Sequence, residues 1–204
     1  MTGVFVTGTG TGIGKTLVAA WLVRSWAADY WKPVQSGTDE GWDSDVIRQQ
    51  VPAARIFPPT HALKAPLSPD QAASREGRII ALEDFIRPQT TAPLVVEGAG
   101  GVLVPLNDRH LMADLIKQIG LPAVIVAPSG LGTINHSLLT VEALRTRSIA
   151  IAGIILNGPD APENRRAIEH FSGVSVVAQM PPLPDLTLFD SLPALPWQPW
   201  KNRT

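Results

Sequence analysis

Cysteine is absent from the 204 residues, so disulfides, zinc–thiolate sites and thiol nucleophiles are excluded, and a reducing compartment fits. An excess of charge of either sign is also missing. The formal net charge is −1 and no run of Lys and Arg concentrates the basic groups, so no nucleic-acid partner is expected. No apolar segment reaches membrane-spanning length, and the first residues pass directly into Val4, Phe5 and Val6 without the pattern of a leader. No membrane partner and a cytoplasmic location are therefore expected. The four histidines, His61, His110, His136 and His170, lack metal-ligand spacing and are assigned neither a metal nor a catalytic proton.

What is present is the composition of a compact soluble globule, 45% hydrophobic and 17% charged, at a length that suits a single domain over 1–204. Short β-branched runs alternate with segments of helical period, as in a mostly parallel sheet flanked by helices on both faces. The expected strands are 3–7, 30–33, 94–97, 123–127, 151–156 and 174–178. Expected helices are 15–28, 43–50, 82–86, 111–119, 133–145 and 162–170. Between Val51 and Asp70 five prolines predict an ordered surface excursion or a lid, with a short helix possible after it. From about residue 180 a second Pro-rich stretch with Trp197 and Trp200 predicts a tail that either packs on the body or moves.

Four clusters carry chemistry. Gly8-Thr9-Gly10-Thr11-Gly12-Ile13-Gly14-Lys15-Thr16 follows a predicted strand and opens a predicted helix, the context of a P-loop. Its backbone N–H groups can converge on phosphate oxygens, Lys15 can reach the terminal phosphates, and the Thr16 hydroxyl can ligate Mg²⁺. Five residues separate Gly8 from Gly14, one more than the strict pattern allows. The plain alternative is a Gly-rich turn.

Val96-Glu97-Gly98-Ala99-Gly100-Gly101 ends a buried strand in a carboxylate that can hold Mg²⁺, or else serves as a turn acceptor. In Tyr30-Trp31-Lys32-Pro33-Val34-Gln35-Ser36-Gly37, Lys32 is either a surface charge or a second cation for a transferring phosphoryl group. Asp45 is a further candidate Mg²⁺ ligand, against an account in which Asp43 caps a helix and Asp45 is solvated. Gly132-Thr133-Ile134-Asn135, after the strand 123–127, starts a helix whose free N–H groups suit a carboxylate, unless Thr133 is only a cap.

Together and in this order the four clusters closely resemble the dethiobiotin synthetase family of the biotin pathway, over most of the chain. The family's P-loop has the same five-residue spacing. The resemblance implies an ATP- and Mg²⁺-dependent carbon–nitrogen ligase with a P-loop NTPase fold. Its substrates would be 7,8-diaminopelargonic acid and CO₂ or bicarbonate, and its product the ureido ring of dethiobiotin.

Residue by residue, the resemblance implies catalytic roles for Lys15 and Lys32. ATP would meet Gly12, Ile13, Gly14, Lys15, Thr16, Glu97, Gly98, Ala99 and Gly100, with Asn157, Pro181, Pro182 and Leu183 at the base. Substrate contacts would come from Thr11, Lys32 and Ser36, and from Gly132, Thr133, Ile134 and Asn135 of a second copy in a homodimer. Mg²⁺ would be held by Thr16, Asp45 and Glu97. Gly10 stands where many members carry an acidic residue, and Gly158 where Asp is frequent.

The alternative class is a partitioning or metal-cluster-assembly ATPase acting through a protein partner. Such proteins usually carry a lysine early in the loop, and Gly8 to Gly14 contains none.

Overall fold

The computed structural model describes residues 2–199. In chain order its elements are β1 (Gly3–Gly8), α1 (Lys15–Trp26), β2 (Asp29–Trp31), β3 (Val34–Ser36), α2 (Asp43–Gln50), β4 (Ile56–Phe57) and β5 (His61–Leu63). There follow α3 (Pro69–Arg75), β6 (Leu94–Glu97), α4 (Met112–Ile119), β7 (Ala123–Pro128), α5 (Thr133–Thr146), β8 (Ile151–Asn157), α6 (Pro162–Ser172) and β9 (Val176–Met180).

Seven strands form one sheet in the order β4-β2-β6-β1-β7-β8-β9, and every pairing in it is parallel. β1 lies at its centre with all six residues buried, because helices cover both faces. Alternate residues serve separate cores. Phe5 faces the layer of α4, α5 and α6, whereas Val4 and Val6 face α1 and α2.

The expected strands form, with β9 shifted toward the tail at Val176–Met180. Three short strands are not foreseen because runs of two or three residues carry no readable period. β4 pairs with β2 at the sheet edge, and β5, itself within the Pro-rich excursion, forms a separate parallel pair with β3. The excursion 51–70 is thus partly strand, and α3 does follow it. The expected helix 82–86 is only a 3₁₀ turn, Leu82–Asp84. Asp84 bends back to accept from the Ala81 N–H at 3.1 Å and to meet His61 at 3.0 Å. Helix α1 stops at Trp26, two residues early, because Ala27 adopts a left-handed φ of 49° and the Ala28 N–H closes on the Val23 carbonyl.

Of the two outcomes for the tail, the structure takes the packed one. Past β9 the chain runs across α1. The Trp21 and Trp26 indoles donate to the Pro193 and Trp197 carbonyls, and Arg24 donates to those of Phe189 and Leu192. Trp200 lies outside the described residues.

Candidate active site

Parallel strands that end on one edge of a sheet leave a crevice beyond their carboxyl ends, and the chemistry-bearing clusters collect there. A cavity of about 880 Å³ is lined by Thr11, Gly12, Gly14, Lys15, Thr16, Lys32, Ser36, Asp43, Glu97, Ala99 and Gly100, among others. A smaller cavity of about 400 Å³ lies at the opposite end of the sheet, where Thr2 and Gly3 begin β1. It contains none of these groups.

The loop after β1 is shaped for phosphate by its backbone. Gly12 and Gly14 take φ of 71° and 88°, which glycine adopts without strain. A Cβ at Gly14 would also come within 2.1 Å of the Asn157 amide nitrogen, so any side chain there would have to displace that amide. That amide donates to the Ile13 carbonyl at 2.9 Å, tying the end of β8 to the loop. Gly10 differs: its φ is not positive, and a Cβ would meet nothing within 4 Å. Neither backbone conformation nor space requires a glycine there.

Lys15, at the start of α1, is buried and folds back to donate to the Gly10 carbonyl at 2.8 Å. Burial is the main reason its pKa falls from 10.5 to about 8. Glu97 opposes that fall, Lys32 reinforces it and Asp43 opposes it.

Glu97 ends β6 only 1% exposed, and both of its oxygens are engaged. Oε1 accepts from the Thr16 hydroxyl at 2.8 Å and the Lys32 ammonium at 3.0 Å, and Oε2 accepts from the Tyr30 hydroxyl at 2.8 Å. Lys32 pairs with Asp43 as well, so its ammonium lies between two carboxylates. Burial alone would lower the Lys32 pKa, but Glu97 and Asp43 outweigh it and leave it raised. Lys32 is therefore a buried, permanently charged cation and not a surface lysine.

Asp45 is not brought to the site. It pairs with Arg48 on the solvent face of α2, its side chain 61% exposed, and does not line the cavity. Asp43, in the same first turn, lines the cavity and pairs with Lys32. Trp42, not Asp43, occupies the N-cap position.

Thr16, Glu97 and Asp43 offer hard oxygen donors, which suit Mg²⁺. Among the described residues no cluster of His, Cys, Asp and Glu could hold a metal alone. A Mg²⁺ ion bound here would take its other ligands from triphosphate and water, as that ion ordinarily does.

Thr11 and Ser36 line the cavity. The Ser36 hydroxyl is buried with no hydrogen-bond partner among the described residues. Asn157 and 181–183 lie side by side, since Asn157 is in register with Met180 at the end of β9. Gly158 has φ of 135°, and a Cβ would approach the Ser129 hydroxyl to 2.5 Å, so this conformation accepts only glycine. Gly132, Thr133, Ile134 and Asn135 start α5 away from the cavity and do not line it. Thr133 does not cap that helix: Gly132 holds the N-cap position, and the Thr133 hydroxyl is buried without a partner among the described residues.

Two side chains that join the Glu97–Lys32 cluster are not evident from the sequence, which offers Asp43 only as a cap and Tyr30 only as part of a strand. The alternation of β2 beside β6 is the one signal that could place Tyr30 on the Glu97 face.

Comparison with known proteins identifies relatives of this chain. The AAA domain family matches residues 2–188. Over 187 residues the chain is 55% identical to the ATP-dependent dethiobiotin synthetase BioD of Paramagnetospirillum magneticum, covering 92% of this chain and 91% of that protein. Over 184 residues it is 54% identical to the biotin biosynthesis bifunctional protein BioCD of Bordetella avium, covering 89% of this chain and 40% of that longer one. Among solved structures, the MinC:MinD cell division protein complex of Aquifex aeolicus aligns with a TM-score of 0.60 over 95% of this chain and 91% of that one. At 14% identity that likeness concerns the fold alone.

Proposed function

The chain belongs to the family of ATP-dependent dethiobiotin synthetases, ligases of biotin biosynthesis, and from that premise we propose how its residues carry out the reaction. One amine of 7,8-diaminopelargonic acid captures CO₂ as a carbamate with loss of a proton. The carbamate oxygen then takes the γ-phosphoryl group of ATP, and ADP leaves. The second amine attacks the carbamoyl carbon of this mixed anhydride and loses a proton, the carbon–oxygen bond breaks to release inorganic phosphate, and the five-membered ureido ring closes.

The observation that carries the reading is the row of buried Lys15, Glu97 and Lys32 with half-buried Thr16 and Asp43 at the mouth of the phosphate loop. Phosphoryl transfer needs positioning and charge stabilisation more than covalent chemistry from the protein. Gly12 to Thr16, with Gly98, Ala99 and Gly100, cradle the triphosphate, and Asn157 with Pro181, Pro182 and Leu183 borders the base. Lys15 and Lys32 neutralise the carbamate and the transferring phosphoryl group. Thr16 and Glu97 hold Mg²⁺, with Asp43 in place of Asp45 as the nearby acid. A bound Mg²⁺ supplies Lewis-acid neutralisation of phosphate charge.

Thr11 and Ser36 border the diamine. Its distant carboxylate is received by Gly132 to Asn135 at the start of α5 in a second copy, making the enzyme a homodimer with a composite site. Two features support this arrangement: these residues lie outside their own chain's cavity, and the apolar Leu131 and Leu139 beside them are exposed. Among the described residues no helix is long and apolar enough to cross a membrane. A cysteine-free chain acting on soluble metabolites suits the cytoplasm.

Labelled bicarbonate should enter an acid-stable product only when ATP, Mg²⁺ and the diamine are all present. ATP hydrolysis at the same rate without the diamine would sink the ligase reading.

A further inference from the structure

Tyr30 does nothing in the reaction as described, yet it is wholly buried and its hydroxyl is spent on the acidic residue of the site. The register explains how it gets there. Tyr30 of β2 lies opposite Val95 of β6, and Glu97, two residues on, projects from the same face of the sheet. A phenol is long enough to reach such a diagonal neighbour. Its neighbour Trp31 points into the other core and cannot make this contact.

The other two donors to Glu97 have rival duties. Thr16 and Lys32 both share Oε1 and both line the cavity, where metal and phosphate would draw on them. Among the described residues, Tyr30 alone donates to Oε2, and it does not line the cavity.

We propose that Tyr30 is a positioning residue: its hydroxyl fixes the rotation of the Glu97 carboxylate so that Oε1 is presented to the metal–phosphate site. This rests on Glu97 being a metal ligand. A group of this kind sets how strongly its partner binds metal without touching the metal itself.

The test compares Tyr30→Phe, Glu97→Gln and the double variant in the full chain, each loaded with a non-hydrolysable ATP analogue and titrated with Mn²⁺. Water-proton relaxation reports bound metal, and thermal midpoints and metal-free analogue binding report folding. Tyr30→Phe should weaken Mn²⁺ binding by about tenfold to a hundredfold, the range measured for outer-sphere partners of metal ligands. Metal-free analogue binding should be retained, and the effect should vanish in the Glu97→Gln background.

A Tyr30→Phe protein that binds Mn²⁺ like the wild type, while Glu97→Gln does not, overturns the positioning role and leaves the ligand assignment standing. An equal loss with and without Glu97 makes Tyr30 a merely structural residue. Unchanged Mn²⁺ binding in Glu97→Gln refutes the ligand assignment itself and takes the Tyr30 proposal with it.

Discussion

Replacing Lys32 by alanine probes the centre of the site through two separate readouts. The Lys32 side chain is 8% exposed and its ammonium sits 3.0 Å from Glu97, itself 1% exposed, with Asp43 on the other side. Its removal leaves a buried carboxylate without a counter-charge, which costs roughly 3–5 kcal/mol. Thr16 and Tyr30 still donate to Glu97, so the lower end of that range is expected. At about 2–4 °C per kcal/mol for a domain of this size, the thermal midpoint should fall by roughly 6–12 °C.

The pH dependence has a definite sign. The folded Lys32 pKa is raised above 10.5, so its stabilisation is fully present below 10.5 and fades as pH rises through the folded value. Wild type and variant should therefore differ by a constant amount at neutral pH and converge only in strong alkali. Turnover should fall by about 10²- to 10³-fold, the loss typical of one electrostatic stabiliser of a transition state. ATP binding should survive within about threefold, since the loop and Lys15 remain to hold the ground state. Single-turnover incorporation of labelled bicarbonate, run well below the variant's midpoint, measures the chemical step. Turnover close to wild type despite a lowered midpoint would reduce Lys32 to a structural cation.

Three further outcomes are expected. Because Lys15 titrates at about 8 in the folded chain, and a triphosphate favours its charged form, ATP binding should take up a proton just above pH 8. Affinity should then fall by up to about tenfold per pH unit above that value. Calorimetry in buffers of different ionisation enthalpy measures the proton, and no uptake refutes the assignment. The same lowered value means that between about 8 and 10.5 the unfolded chain holds more protons, so the unliganded protein should gain stability as pH rises through that window. Arg24→Ala should loosen the tail, since Arg24 donates to the Phe189 and Leu192 carbonyls at 2.7 and 2.6 Å. A loss of about 2 kcal/mol, seen as a midpoint lower by roughly 4–8 °C and faster proteolysis after β9, is expected. An unchanged midpoint would mean the tail contributes nothing to α1.

Contiguous residues by themselves determine much of this protein. A glycine loop between an apolar strand and a helical period, closed by Lys15 and Thr16, folds by local rules and is legible as it stands. So are the six expected strands, and the carboxylate at the end of β6 and the lysine just past β2, because each of these two groups lies at a strand end where a parallel sheet opens its crevice. The unusual spacing from Gly8 to Gly14 becomes informative only beside the other clusters.

Contacts across the chain decide the rest. Asp43 and Asp45 lie two residues apart in one helical turn, about 200° around the axis, and only the docking of α2 against α1 chooses which faces Lys32. Strands β3, β4 and β5 exist because neighbours pair with them, not because their own residues repeat. Tyr30 acquires a partner through the β2–β6 register, and the tail acquires its course from the Trp21, Arg24 and Trp26 side chains of α1. A sequence specifies which groups are available and which local shapes they favour. Which oxygen meets which ammonium depends on distances between segments far apart in the chain, and only packing sets those.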